Sequence, residues 1–147
     1  MPGGYYPPSG FHFLVEFGLP GVKDNDNRFQ EVSGIGYNIT YDSISEMGEN
    51  AYQVHVPKTT EYENLVLKRG YLKDTAIRLW FRQAIETFYF SPTTVLVTLL
   101  NEESEPMKNW IFHNVLPLKW SVNGFNAMNS EAVIETIELK YQFFQEL

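Results

Sequence analysis

The side chains in this sequence that could do chemistry are few and poorly placed for it. His12, His55 and His113 could ligate a metal, but each falls at an alternating position of a strand pattern with no second ligand at metal spacing. With no cysteine and no HExxH, neither a thiolate site nor a zincin site has a framework. Glu102 and Glu103 share a tight turn, where exposed charge is the ordinary outcome. Glu135 and Glu138 are three apart in a strand pattern, so they point to opposite faces and do not converge as an acid–base pair. Ser33 and Ser121 have no accompanying base and no GxSxG elbow. Gly34 and Gly36 lack the third glycine and the following helix of a dinucleotide fingerprint, and suggest a bulge or bend instead. No cofactor, metal or catalytic residue is expected, and the chain is not expected to be an enzyme.

Composition narrows the remaining classes. The formal charge is −7, from 11 basic and 18 acidic residues, so the clustered cations that nucleic-acid binding needs are missing. LKRG, at 67–70, holds a basic pair too small for such a patch. The first residues, MPGGYYPPSG, have neither the basic nor the apolar region of a signal peptide, and no run of 18 apolar residues could span a membrane. Synthesis and folding in the cytoplasm are therefore expected. Aromatics at 16%, with many Val, Ile and Thr, favour β structure.

Period-two alternation marks the elements that must position these residues. Strands are expected at 11–17, 28–35, 37–44, 51–58, 63–70 and 93–101, then at 108–120 with an interruption near Pro117. Turns or loops fall at 18–27, 45–50, 102–106 and 121–130. One helix starts at Asp74 as N-cap and carries Ile77, Trp80, Phe81, Ala84, Ile85 and Phe88 at three- and four-residue steps, until Ser91 and Pro92 stop it. Residues 1–10 read as an extended arm and 11–147 as one domain. The expected fold is mainly β, a single-domain barrel or sandwich with one flanking helix at about residues 75–89.

The last strand, EAVIETIELKYQFF at 131–144, places Ile137, Leu139, Tyr141 and Phe143 on one face. Thr136, Glu138, Lys140 and Gln142 take the other. Nothing after it could pair with it, so its edge is expected either to be completed by a neighbouring chain or to lie in a wall that has no free edge.

Five stretches in order resemble the tail-tube proteins of contractile injection machines: FHFLVEF, RFQEVSGIG, YENLVLKRGY, VTLLNEESEPMKNWIFHNVLPLKW and NSEAVIETIELKYQFF. LKRG followed by a Trp-bearing helix, and IET leading into the last strand, are the most specific parts. The resemblance runs from about residue 11 to residue 144. That family covers contractile phage tails, R-type bacteriocins and extracellular injection systems, with the type VI secretion tube as a structural relative. The resemblance implies a hexameric ring with a continuous inner barrel, each copy giving about four strands. Rings would stack into a hollow tube that a contracting sheath drives through a target envelope.

The partners it implies are other copies of the chain, the sheath, the baseplate and spike, and other tube proteins. Cargo or DNA would pass through the lumen without sequence-specific binding, and no membrane anchor is expected. The finished particle would be extracellular, membrane-anchored or a virion. Interface candidates between subunits and rings are Tyr41, Ser43, Glu46, Met47, Glu49, Tyr52, His55, Lys68 and Arg69, with the hairpin near 40–60 reaching the next ring. Thr136, Glu138, Lys140 and Gln142 would face the lumen or a neighbour. At −7 each, six copies carry −42 formal charges, so a partly acidic lumen that repels DNA or acidic cargo is expected. The long turn at 18–27 and the Pro-rich arm are departures that would suit a tube initiator near the baseplate, as well as a shaft subunit. Two alternatives stay open: a DNA-conducting phage tail tube, and a monomeric barrel that binds a small apolar ligand.

Overall fold

The computed structural model describes residues 12–22, 27–45, 52–124 and 133–147. The N-terminal arm, the hairpin tip at 46–51 and parts of two loops, at 23–26 and 125–132, lie outside the described residues. The described elements run β1 (His12–Phe17), β2 (Arg28–Phe29), β3 (Glu31–Ser33), β4 (Tyr37–Ser45), β5 (Gln53–Tyr62), β6 (Leu65–Gly70), α1 (Ala76–Thr87), β7 (Thr93–Leu100), β8 (Pro106–Asn123), β9 (Ile134–Lys140) and β10 (Phe143–Glu146). Mainly β structure with one helix is thus found as expected. The loop expected from residue 121 starts later, because Ser121 to Asn123 extend β8.

The main sheet runs β2-β1-β7-β8-β9-β6-β3, with β10 also on β8. Its two ends are one stretch of chain. β2 pairs with β1, setting Phe13 opposite Phe29. β3 pairs with β6, setting Val32 opposite Leu67. Gln30 alone separates them, and its N–H donates to the Lys68 carbonyl at 2.9 Å. The sheet therefore closes into a barrel, with β10 paired on one side only, to β8.

Closure decides between the two expectations for the last strand, in favour of a place inside the wall. β9 is not an edge: it lies between β6, with Leu67 opposite Ile137, and β8, with Trp120 opposite Ile137. Ile137 and Leu139 are fully buried, as their period predicts. The alternation then breaks. β9 stops at Lys140, and it is Phe144 rather than Phe143 that is buried. The break has a counterpart in β8, where Asn114 adopts φ 53 and donates from Nδ2 to Gln142 Oε1 at 2.5 Å. β8 pairs with β10 before this corner and with β9 after it. Asn tolerates the left-handed region better than most residues, which suits it to the bend.

Val15, Leu65, Leu67, Val95, Val97, Phe112 and Val115 fill the barrel with the β9 pair, and α1 adds Ile77, Trp80 and Phe81. Each large side chain contributes roughly 1.5–3 kcal/mol on burial. Trp80 meets Phe17 edge-on at 6.1 Å and donates from Nε1 to the Ser91 carbonyl at 2.8 Å. The helix cap is Thr75, not Asp74. Thr75 Oγ1 accepts from the Arg78 N–H at 3.2 Å, while Asp74 is left-handed at φ 58. Ile85 and Phe88, expected on the buried stripe, are 78% and 81% exposed. Ile85 sits at the rim of that stripe. Phe88 lies past the last helical residue, in a left-handed cap that swings it outward.

The bend predicted at Gly34 and Gly36 joins β3 of the barrel to β4. Gly34 has φ +86, and a Cβ there would stand 1.9 Å from the Asn64 carbonyl oxygen. Backbone cannot yield as a flexible side chain does. Gly34→Ala is therefore expected to cost about 2–4 kcal/mol, combining left-handed strain with the clash. A denaturant titration at unchanged m-value measures it.

Candidate assembly surface

β4 and β5 form a separate two-stranded ribbon. A hairpin alone is marginal in water, so this one depends on what lies against it. Its base is anchored to the barrel by rings. Tyr37 stacks on Phe144 at 5.7 Å, and Tyr62 meets Phe144 and Tyr141 edge-on at 5.5 and 5.8 Å. Burial first, then Glu63 and Tyr62, push the Tyr141 hydroxyl up to about 12. Folding thus favours the neutral phenol. That contribution is complete below the ordinary value near 10 and fades as pH rises toward 12.

Beyond the base the ribbon is bare. Ile39, Tyr41, Ile44, Tyr52, Val54 and Val56 are all at least 40% exposed. The sequence candidates Tyr41, Ser43, Tyr52 and His55 all lie on or beside this ribbon and are exposed, with Ser43 Oγ 3.3 Å from His55 Nδ1. Glu46, Met47 and Glu49 lie outside the described residues.

The basic pair splits. Lys68 is half-buried on the outer face of β6, with Nζ 3.7 Å from Glu31. Arg69 points inward and is only 2% exposed, which removes it from the interface candidates. The reason is a partner that sequence reading missed. Arg69 Nε donates to Glu135 Oε1 at 2.9 Å, and Trp120 Nε1 donates to Glu135 Oε2 at 2.6 Å. The Arg69 guanidinium lies 4.4 Å from the Phe29 ring, and that of Arg78 lies 3.6 Å from the Trp120 ring. One polar chain therefore ties α1 to β8, β9, β6 and β2. Glu135 and Arg69 are directly opposed in register, yet 66 residues apart in sequence.

Thr136 and Glu138 lie on the face of β9 opposite Glu135, Ile137 and Leu139, and both are half-exposed. Lys140 and Gln142 are exposed. Glu138 stands in register with Lys119, and Thr136 with Lys68. With Glu31 added, this face alternates acid and base, so the acidity expected of a lumen does not gather on it.

Among the described residues no group of three metal-type side chains comes together, and no helix is long and apolar enough to cross a membrane. His113 Nε2 lies 2.9 Å from Gln145 Oε1 and its ring stacks on Phe143. Glu103 and Glu105 give their N–H groups to Asn101 Oδ1, which builds the turn expected around them. Among the described residues the interior of the barrel is lined by the buried side chains of the core. A groove of about 670 Å³ lies outside it, between α1 and the Pro117–Trp120 stretch of β8. Phe88 at its rim holds a conformation that glycine favours. Phe88→Gly is expected to leave the subunit as stable, or to stabilise it by up to about 1 kcal/mol, in a thermal melt.

Residues 9–145 match the family described as T4-like virus tail tube protein gp19. No curated protein matches the sequence. Among solved structures, a chain of the six-fold symmetrised baseplate of the anti-feeding prophage is 27% identical, with a TM-score of 0.80 over 97% of both chains. A chain of the sheath–tube complex of PVC, an extracellular contractile injection system, is 20% identical, with a TM-score of 0.66 over 97% of this chain and 91% of that one. Hcp1 from Flavobacterium johnsoniae is 15% identical, with a TM-score of 0.53 over 90% of this chain and 94% of that one. The last two share the fold. The family is described by a structural role, the tail tube, and not by an enzymatic activity. The family match spans nearly the whole sequence: this chain belongs to the T4-like virus tail tube protein gp19 family.

Proposed function

We propose that the chain is an inner-tube subunit of a contractile injection particle. Six copies close into a ring, rings stack around a hollow lumen, and the ring made by this chain sits near the baseplate, where the tube begins. The bare β4–β5 ribbon carries the reading. Beyond its ring-anchored base it leaves apolar side chains exposed among the described residues, and a ring of copies would cover them. The likeness to a baseplate chain supports the baseplate-proximal position over a place in the repeated shaft. Rigid assembly is then the whole mechanism. The sheath contracts, the tube advances with it, and cargo passes along a wall that offers no sequence-specific contacts.

Negative-stain microscopy with light scattering tests the assembly and should show six-membered rings or short stacks. A 17.1 kDa monomer at high concentration that is also missing from assembled particles overturns it. Gold-labelled antibody should mark one level beside the baseplate, and label along the whole shaft would reassign the chain to the shaft. The family description favours one second reading, a phage tail tube that conducts DNA. Capsids on the purified particles would establish it.

A further inference from the structure

The groove between α1 and the Pro117–Trp120 stretch of β8 has a fixed floor. The Arg78 guanidinium lies 3.6 Å from the Trp120 ring, and Trp120 is pinned by its Nε1 bond to buried Glu135 at 2.6 Å. An arginine already ordered in this way loses little side-chain freedom when a ligand meets it. Phe88, Phe90 and Leu118 line the groove and are exposed, and the rings of Phe88 and Phe90 meet edge-on at 4.7 Å. Two features here have no use inside the subunit. The first is Phe88, a bulky ring kept at a left-handed cap that glycine would occupy without strain, yet 81% exposed. Strain of this kind concentrates where a protein binds or acts on something else. The second is charge. Arg78, Arg82 and Lys119 line the groove against Glu86, in a chain of net charge −7. Glu86 is taken by Arg82 at 3.3 Å, whereas Arg78 and Lys119 form no salt bridge among the described residues.

We propose that this groove docks an acidic amphipathic segment of a different protein. A carboxylate of the segment meets Arg78, and its apolar side chains lie between Phe88 and Leu118. Charge selects the partner. The groove is locally positive on an acidic chain, so it draws an acidic segment and repels a basic one. A second copy packed groove to groove would set Arg78, Arg82 and Lys119 against the same three cations, which argues against self-pairing at this face. The anchors are an arginine and a tryptophan with exposed aromatic rings beside them, the residue types that dominate binding energy where an amphipathic segment lies in a groove. The site needs only the folded subunit, whether or not rings form.

Two synthetic amphipathic helices test the groove by isothermal calorimetry on the folded subunit. They share one apolar face, and the polar face carries glutamates in one and lysines in the other. The glutamate peptide is expected to bind about tenfold tighter or better at low salt, and Arg78→Gln and Phe88→Gly are each expected to weaken it by about tenfold. Phe88→Gly keeps the fold, as its melt should show, so its loss of binding is not a loss of structure. Equal binding of the two peptides, or parent-like binding by both variants, overturns the site. Sodium decanoate bound as tightly as the glutamate peptide would make this a site for free amphiphiles and overturn the protein partner. In assembled particles, a photoreactive benzoylphenylalanine replacing exposed Ile85 should crosslink to a different chain, at a peptide carrying Asp or Glu beside apolar residues. A crosslink to a second copy of this chain, or no more crosslinking than from the same group at exposed Glu102, overturns the proposal while the ring reading stands. Particles that never assemble overturn the ring reading instead and leave the peptide titration to decide the groove.

Discussion

Glu135→Ala is expected to lower subunit stability by about 3–5 kcal/mol, because it removes the carboxylate that compensates a buried guanidinium. Glu135 has no exposed surface and Arg69 almost none. In that setting the pair is held by short, directed bonds: Arg69 Nε to Oε1 at 2.9 Å and Trp120 Nε1 to Oε2 at 2.6 Å. Removing both acceptors strands two donors in a site that water does not reach easily, and each stranded group costs free energy on its own. Domains of this size hold only about 5–15 kcal/mol in total. At roughly 3 °C per kcal/mol for a chain of this length, the melting temperature should fall by about 10–15 °C. The double variant Arg69→Met with Glu135→Leu should recover most of the loss, since an apolar pair of similar volume avoids the desolvation penalty. Recovery stays incomplete because Trp120 Nε1 still lacks its acceptor. Thermal melts of the three proteins decide it. A single variant that melts within about 1 kcal/mol of the parent would show that the pair is not desolvated.

Leu139→Asp is expected to leave almost no folded subunit. Leu139 is fully buried, opposite Leu65 on one side and Pro117 on the other. Truncating a core leucine alone costs about 2–5 kcal/mol, and placing an unpaired carboxylate among apolar neighbours adds several more. The sum reaches the whole stability of the domain. Glu138→Lys, one residue away, is the control. Glu138 lies on the other face and is half-exposed, so the fold should survive. A cost of up to about 1 kcal/mol is expected there, because Lys119 stands directly opposite and the new pair would be like-charged. Soluble yield and far-ultraviolet circular dichroism distinguish the two. An unfolded Glu138→Lys would mean that the faces of β9 are reversed.

Alternation and turn signals set strands at 37–44 and 51–58 about a turn, and the resemblance named Tyr41, Ser43, Tyr52 and His55 as interface candidates; all four are exposed on or beside the β4–β5 ribbon. Gly34 and Gly36 read as a bulge or bend, and they lie where the chain passes from the barrel to the ribbon. Arg69 and Ile85 were misplaced for a shared reason. Each was judged from its sequence neighbours, whereas its environment is decided by residues far along the chain or by where the helix ends.

Side-chain period is local, because successive residues of a strand must point to opposite faces. The sequence by itself therefore determined that Ile137 and Leu139 are buried, that Glu138 opposes them, and that the chain is β-rich with one helix. Strand neighbours are not local. Pairing is chosen by long-range closure, so only the tertiary structure decided that β2 and β3 seal the barrel, that β9 lies inside its wall, and that Glu135 meets Arg69. The β4–β5 ribbon stays outside the closed barrel, and its register shift between Thr40 and Tyr41 appears only once the two strands are set side by side.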